Sequence, residues 1–137
     1  MGSFRFIEHT ADMGILARGE TLAEAFAQAA LGLFSSMIDL GQVRELRTHL
    51  VEAEAPNVES LLVAWLNELI FAFDVEGLAL RRFDIKEMTS TNIKALCSGE
   101  GFDEARHRVG TAVKAVTYHG LEIKTNGGWQ ARVFLDI

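Results

Sequence analysis

Cysteine and proline each occur once in this chain of 137 residues, and positive charge is scarce, with 13 Lys and Arg against 19 Asp and Glu. A lone Cys97 cannot form an internal disulfide and has no second thiolate nearby for a zinc site, so a small, buried apolar residue in a reducing, cytoplasmic setting is expected. The one proline, Pro56, ends a strand pattern, and no low-complexity stretch or linker divides the chain, which reads as a single domain over 1–137. Proteins that grip a phosphate backbone are ordinarily basic; the deficit of Lys and Arg argues against nucleic-acid binding as the main activity. The nearest thing to a basic patch, Arg81, Arg82 and Lys86, is read as a solvated strand face. Long apolar runs are missing too. Leu61 to Phe73 is interrupted by Asn67 and Glu68 and is too short to span a bilayer, and Arg5, Glu8 and Asp12 break up any leader-like stretch at the start.

Familiar catalytic motifs are also lacking. Gly99, Gly101 and Gly110 have neither the spacing nor the Lys-Ser or Lys-Thr of a phosphate loop. His9, His49, His107 and His119 are scattered, with no metal-ligand spacing, and there is no nucleophile elbow.

What is present is a regular alternation of elements. Phe4 to Glu8 and Gly14 to Arg18 are strand-like. Thr21 and Glu24 form a capping box, after which Leu22, Ala25, Phe26, Ala29, Leu33, Phe34 and Met37 recur at helical intervals. Arg47 to Ala55 alternates weakly as a strand, and Asn57 can cap a second helix running to about Asp74, with Gly77 as its stop. That helix is apolar around nearly its whole circumference and predicts either burial on several sides or a face offered to a partner. Leu78 to Glu87 and Thr91 to Gly99 read as paired strands, interrupted at Gly99-Glu100-Gly101. Val113 to Tyr118 is a further strand, and Leu121 to Thr125 and Trp129 to Leu135 form a hairpin about Asn126-Gly127-Gly128. Runs of strands outnumbering two helices predict a two-layer α+β domain with mainly antiparallel sheet.

Polar residues gather at element ends: His9, Thr10 and Asp12 near the start, Lys114, Thr117 and His119 later, and Asp136 at the close. Singly, Asp12 reads as a turn residue, Lys114 as a snorkelling side chain and Asp136 as a solvated charge. If the last strand is pinned in the sheet, however, Asp136 and the carboxylate of Ile137 are fixed together, and oxygen donors so placed suit a hard cation.

At these residues the chain resembles the archease family. The matching pieces are His9-Thr10-Ala11-Asp12, Thr21-Leu22-Ala23-Glu24-Ala25-Phe26, Leu61-Leu62-Val63-Ala64-Trp65-Leu66-Asn67-Glu68-Leu69, His107, Val113-Lys114-Ala115-Val116-Thr117-Tyr118 and the terminal Leu135-Asp136-Ile137. The resemblance implies one SHS2-like module inserted in another. It implies a non-catalytic cofactor of the GTP-dependent RtcB-type RNA ligase, promoting ligase guanylylation and multiple turnover in tRNA splicing and RNA repair and meeting RNA only indirectly, through the ligase. Carried over, Asp12, Asp136 and Ile137 would hold a divalent cation, Ca²⁺ foremost with Mg²⁺ or Mn²⁺ as alternatives. Lys114 would act at the same edge, with His9, Thr117 and His119 as accessories. Two other classes stay open on the residues: a metal-dependent phosphoester hydrolase, and an RNA-binding or chaperone-like module.

Overall fold

A computed structural model describes residues 2–8 and 12–137. The elements are β1 (Ser3–Glu8), β2 (Asp12–Gly19), α1 (Leu22–Met37), β3 (Arg47–Glu54), α2 (Val58–Asp74), β4 (Leu78–Met88), β5 (Asn92–Gly101), β6 (Ala115–Thr125) and β7 (Trp129–Asp136). A four-stranded sheet runs β1-β2-β7-β6 and a three-stranded sheet runs β3-β5-β4, with every pairing antiparallel. The second sheet and α2 come from a continuous stretch between α1 and β6, so one module is nested in the other, and the α+β expectation holds.

Each helix starts where its cap residue dictates. The Thr21 hydroxyl accepts from the Glu24 amide at 3.1 Å, while Glu24 reaches back to the Glu20 amide, and the Asn57 carbonyl oxygen accepts from the Ser60 amide at 2.8 Å, satisfying donors that a first turn leaves open. Helix α1 lies on β2 and reaches β4, whereas α2 packs against β3 and β6. Gly32 lets α1 sit close to the sheet, since a Cβ there would come within 3.0 Å of Ile15 and Phe4. The apolar circumference of α2 is used as expected: Leu61, Leu62, Val63, Trp65, Leu66, Leu69, Ile70 and Ala72 are buried. Trp65 ties the helices together by donating its indole N–H to the Phe26 carbonyl at 3.1 Å. One core holds residues from both helices and both sheets, Cys97 among them, and burial pushes the Cys97 thiol up to about 12.

Two local expectations are corrected. Strand β5 continues through Gly99-Glu100-Gly101, because Glu100 is taken inside and satisfied there. The two strands expected at Val113–Tyr118 and Leu121–Thr125 form one strand, β6, whose register against β7 shifts between Thr117 and Glu122. The hairpin about Asn126-Gly127-Gly128 forms as expected, its three-residue loop joining Thr125 to Trp129 with positive φ at Gly127 and Gly128.

Gly99 marks a second close approach. At the bulge between Leu80 and Arg82, β4 bends over it so tightly that a Cβ would stand 1.9 Å from the Ala79 carbonyl oxygen, whereas one at Gly101 would meet nothing within 4 Å. The nearest atoms are all backbone of β4, which cannot yield as a side chain can. Urea unfolding should show Gly99→Ala destabilised by about 3 kcal/mol and Gly101→Ala changed by less than about 0.5 kcal/mol; equal midpoints for the two variants would refute this packing.

Candidate functional site

The side chains expected to matter converge on one end of the four-stranded sheet. Asp12 opens β2 instead of sitting in a turn, and its register partner on β7 is Asp136, whose partner on the other side is Ala115 of β6. In antiparallel pairing, directly opposed residues share a face with Cβ atoms roughly 4.5–5.5 Å apart, so both carboxylates project to the same side. The Lys114 amide donates to the Asp136 carbonyl at 2.8 Å, which brings Lys114 to this end just before β6 begins. Asp12 is half-buried, and Asp136, Ile137 and Lys114 are exposed. Thr117 lies on the same face, one like-facing position inward, opposite Phe134. Its hydroxyl accepts from the His119 amide at 3.0 Å, so these two residues build the β6 bulge. His9 lies outside the described residues.

Two neighbouring devices hold this end rigid. The ring of Phe134 lies across Gly14 and Gly120: a Cβ on Gly14 would be 2.8 Å from it and one on Gly120 2.6 Å. Gly120 also adopts φ +71°, a conformation that suits glycine, so it serves both the bulge and the ring. On the other side, the Asn67 carbonyl oxygen in the middle of α2 accepts from the Val116 amide at 2.9 Å, binding the edge strand to the helix one residue from the pair Ala115↔Asp136.

The electrostatics of this end are unbalanced. Like charges directly opposite each other on a sheet are destabilising, and among the described residues no ion pair involves Asp12, Asp136 or Lys114. Carboxylate oxygens are the donors a hard divalent cation takes. Two side chains fall short of a full coordination sphere, and among the described residues no group of three or more His, Cys, Asp or Glu side chains could hold a metal. The donor chemistry fits such an ion provided that further oxygens are supplied.

A second polar cluster escaped the sequence reading. Glu100, only 5% exposed, accepts from the Arg44 amide at 2.9 Å, from Arg44 Nε at 3.1 Å and from Arg106 Nη1 at 2.9 Å. His107 Nδ1 accepts from the Asp103 amide at 2.9 Å, so its proton is on Nε2, which donates to Glu100 Oε2 at 2.9 Å; a neutral imidazole thus supports the carboxylate. The cluster ends a run of rings through Phe34, Phe73, Phe102 and His107. Its role is to hold the 103–107 loop and the start of β3 onto β5.

A nested α+β domain with opposed carboxylates at the end of its open sheet is the class that fold and site define. Comparison with known proteins narrows it. Residues 4–137 match the model of the Archease protein family. Protein archease of Methanosarcina mazei is 42% identical over 98% of this chain and 95% of its own, and protein archease of Pyrococcus abyssi is 38% identical over the whole of both. The solution structure of a Methanobacterium thermoautotrophicum protein superposes with TM-score 0.82 at 36% identity, covering 98% of each chain. An archease from Thermotoga maritima, described as a possible chaperone, shares the fold at TM-score 0.68 and 24% identity over 96% of this chain and 94% of that one. The chain belongs to the archease family.

The Arg44 amide, then His107 and the two guanidinium groups, hold Glu100 well below the ordinary carboxylate value of 4.5. A depressed folded pKa gives stability that is present above the unfolded value and lost as pH falls through the folded one. In denaturant titrations across pH, Glu100→Gln should therefore be less stable than the parent at neutral pH, with the gap closing as pH drops below about 4.5. A gap independent of pH would contradict the linkage.

Proposed function

We propose that this chain is a non-catalytic protein cofactor of a GTP-dependent RtcB-type RNA ligase, promoting guanylylation of the ligase and its multiple turnover in tRNA splicing and RNA repair. The observation that carries this reading is the opposition of Asp12 and Asp136 beside Lys114, at an exposed sheet end of a chain in the archease family. Asp12, Asp136 and the Ile137 carboxylate would hold a divalent cation, Ca²⁺ foremost, with Mg²⁺ or Mn²⁺ able to take the same oxygen donors. When bound, that ion supplies positive charge that lets the two carboxylates stand together and remains open to donors from a partner.

The residues around it set the geometry. Phe134 in its glycine slot and Asn67 on the β6 edge fix where the carboxylates point, so the end is rigid before a partner arrives, which lowers the ordering cost of docking. Lys114 offsets carboxylate charge or meets a phosphate of the ligase's nucleotide. Among the described residues no helix is long and apolar enough to cross a membrane, and the cytoplasm is the compartment we assign.

With a cognate ligase at fixed GTP and Mn²⁺, the protein should stimulate guanylylation over many turnovers. Asp12→Ala and Asp136→Ala, at unchanged circular dichroism, should each lose at least about tenfold of that stimulation, corresponding to about 1.4 kcal/mol or more, and Lys114→Ala should be similarly impaired. Full stimulation by Asp12→Ala would remove the site assignment. Absence of stimulation by the parent protein would remove the function.

A further inference from the structure

The open face of the four-stranded sheet carries a second feature, away from the carboxylate end. Ile15, Ala17, Ala131, Val133, Leu135 and Val116 point into the core, so the alternate positions Leu16, Arg18, Arg132 and Phe134 face outward. Register then places Arg5 opposite Leu16, Leu16 opposite Arg132, Arg18 opposite Gln130 and Gln130 opposite Lys124. Each of the four strands contributes one cation within two adjacent rows: Lys124 from β6, Arg132 from β7, Arg18 from β2 and Arg5 from β1. At about 4.8 Å between strands, the line spans roughly 14 Å across the sheet.

Three of the four cations, Arg5, Arg18 and Arg132, have no ion pair among the described residues. Arg5, Arg18 and Lys124 are exposed and Arg132 is partly so. Arg132 Nε donates to the Gly120 carbonyl at 3.0 Å, which orients the guanidinium and leaves its two terminal amino groups free of any carboxylate among the described residues. Arg5 and Arg18 likewise have no carboxylate partner among those residues; Glu122 is the acid on this stretch of the face, and it pairs with Lys124 at 3.6 Å. Leu16, although outward, is only 5% exposed, as expected if the aliphatic stems of the flanking arginines cover it. The Arg81, Arg82 and Lys86 group differs: Arg81 is bound to the Val43 carbonyl, Arg82 faces Glu45 and Lys86 faces Asp84.

We propose that this cross-strand line of Arg5, Arg18, Arg132 and Lys124 is a contact for the sugar-phosphate backbone of single-stranded RNA. A line of one charge per strand suits a chain of regularly spaced phosphates, and guanidinium forks bind phosphate oxygens in two-point fashion. The net charge of −6 does not prevent this. The carboxylate end lies four residues along β2 from Leu16, roughly 13 Å away, beyond the screening length of about 8 Å at physiological salt. The proposal departs from the expectation that RNA is met only through the ligase, and it stands independently of the cation site.

Fluorescence anisotropy with the full chain and a single-stranded oligouridylate of roughly 15 nucleotides tests it. Binding should weaken with salt along a log-log slope of about −3, for four phosphates neutralised. Arg5→Glu combined with Arg18→Glu should weaken binding about tenfold or more and flatten the slope by about 1.4. Arg47→Glu combined with Arg108→Glu, exposed cations elsewhere on the surface, should change it less than about twofold. No binding at low salt, or equal losses in both double variants, would overturn the proposal. So would an Arg5, Arg18 double reversal that leaves oligouridylate binding intact and weakens ligase docking without RNA, since the line would then read an acidic protein surface.

Discussion

Because β2 and β7 pair from Asp12↔Asp136 to Gly19↔Trp129, the two central strands of the four-stranded sheet fix everything that lies on either of its faces. On the inner face the pairing stacks Ile15 against Val133 and Ala17 against Ala131, giving α1 a flat apolar bed. On the outer face it sets Asp12 against Asp136, Gly14 against Phe134 and Leu16 against Arg132. Side-chain direction along a strand has a period of two, so a slip of one residue would exchange the faces. Core burial therefore enforces the register, and the register in turn forces two carboxylates together that would otherwise separate. The hydrophobic core supplies the free energy that holds an electrostatically unfavourable pair in place, as is common where a site must be ready for a ligand.

The outer face then follows from what this register places beside Phe134. A ring on a solvent face would ordinarily stand up from the sheet and shield the carboxylates unevenly. Glycines on both neighbouring strands let it lie down, and the β6 bulge at Gly120 supplies the second of them. The same bulge returns the Gly120 carbonyl to Arg132, so one irregularity in an edge strand positions a ring and a guanidinium. Asn67 completes the arrangement from the opposite side, where an amide of the edge strand would otherwise face outward. A polar residue in the middle of an apolar helix is explained by that one acceptor.

Much of this was legible in the chain itself. Helix starts at Thr21 and Asn57 follow from local capping chemistry, and the alternation from Trp129 to Leu135 announces a strand that reaches Asp136. What could not be read were facts that belong to pairing. Asp12 looks like a turn residue because its local neighbours, a polar stretch and then Gly14, are those of a turn; only β7 makes it a strand residue. Glu100 between two glycines looks like an interruption, and becomes a buried anchor because Arg44 and His107, far apart in sequence, close on it. Arg5, Arg18 and Arg132 are isolated arginines until three strands align them, whereas Arg81, Arg82 and Lys86, conspicuous in sequence, are absorbed by nearby acceptors. The residues that read as turn-like or merely charged are those whose meaning depends on sheet register, and a single sequence does not specify register beyond the parity of its apolar residues.

The division of charge on the open face follows from the same constraint. Acids occupy one end, where strands terminate and side chains have room to turn toward a shared ligand. The cations lie two to three outward-facing positions further along, in rows that cross all four strands, where the long stems of Arg5 and Arg132 can rest on Leu16. Carboxylates have short side chains and need the chain end to converge. Arginines have long ones and can cover apolar surface while leaving their heads in water. A mixed distribution would have neutralised the face through ion pairs, as Glu122 and Lys124 do locally along β6. The separation instead leaves Asp12 and Asp136 at one end, and Arg5, Arg18 and Arg132 further along, without an ion pair among the described residues, and such charges on a rigid sheet are most readily understood as reserved for ligands of opposite sign.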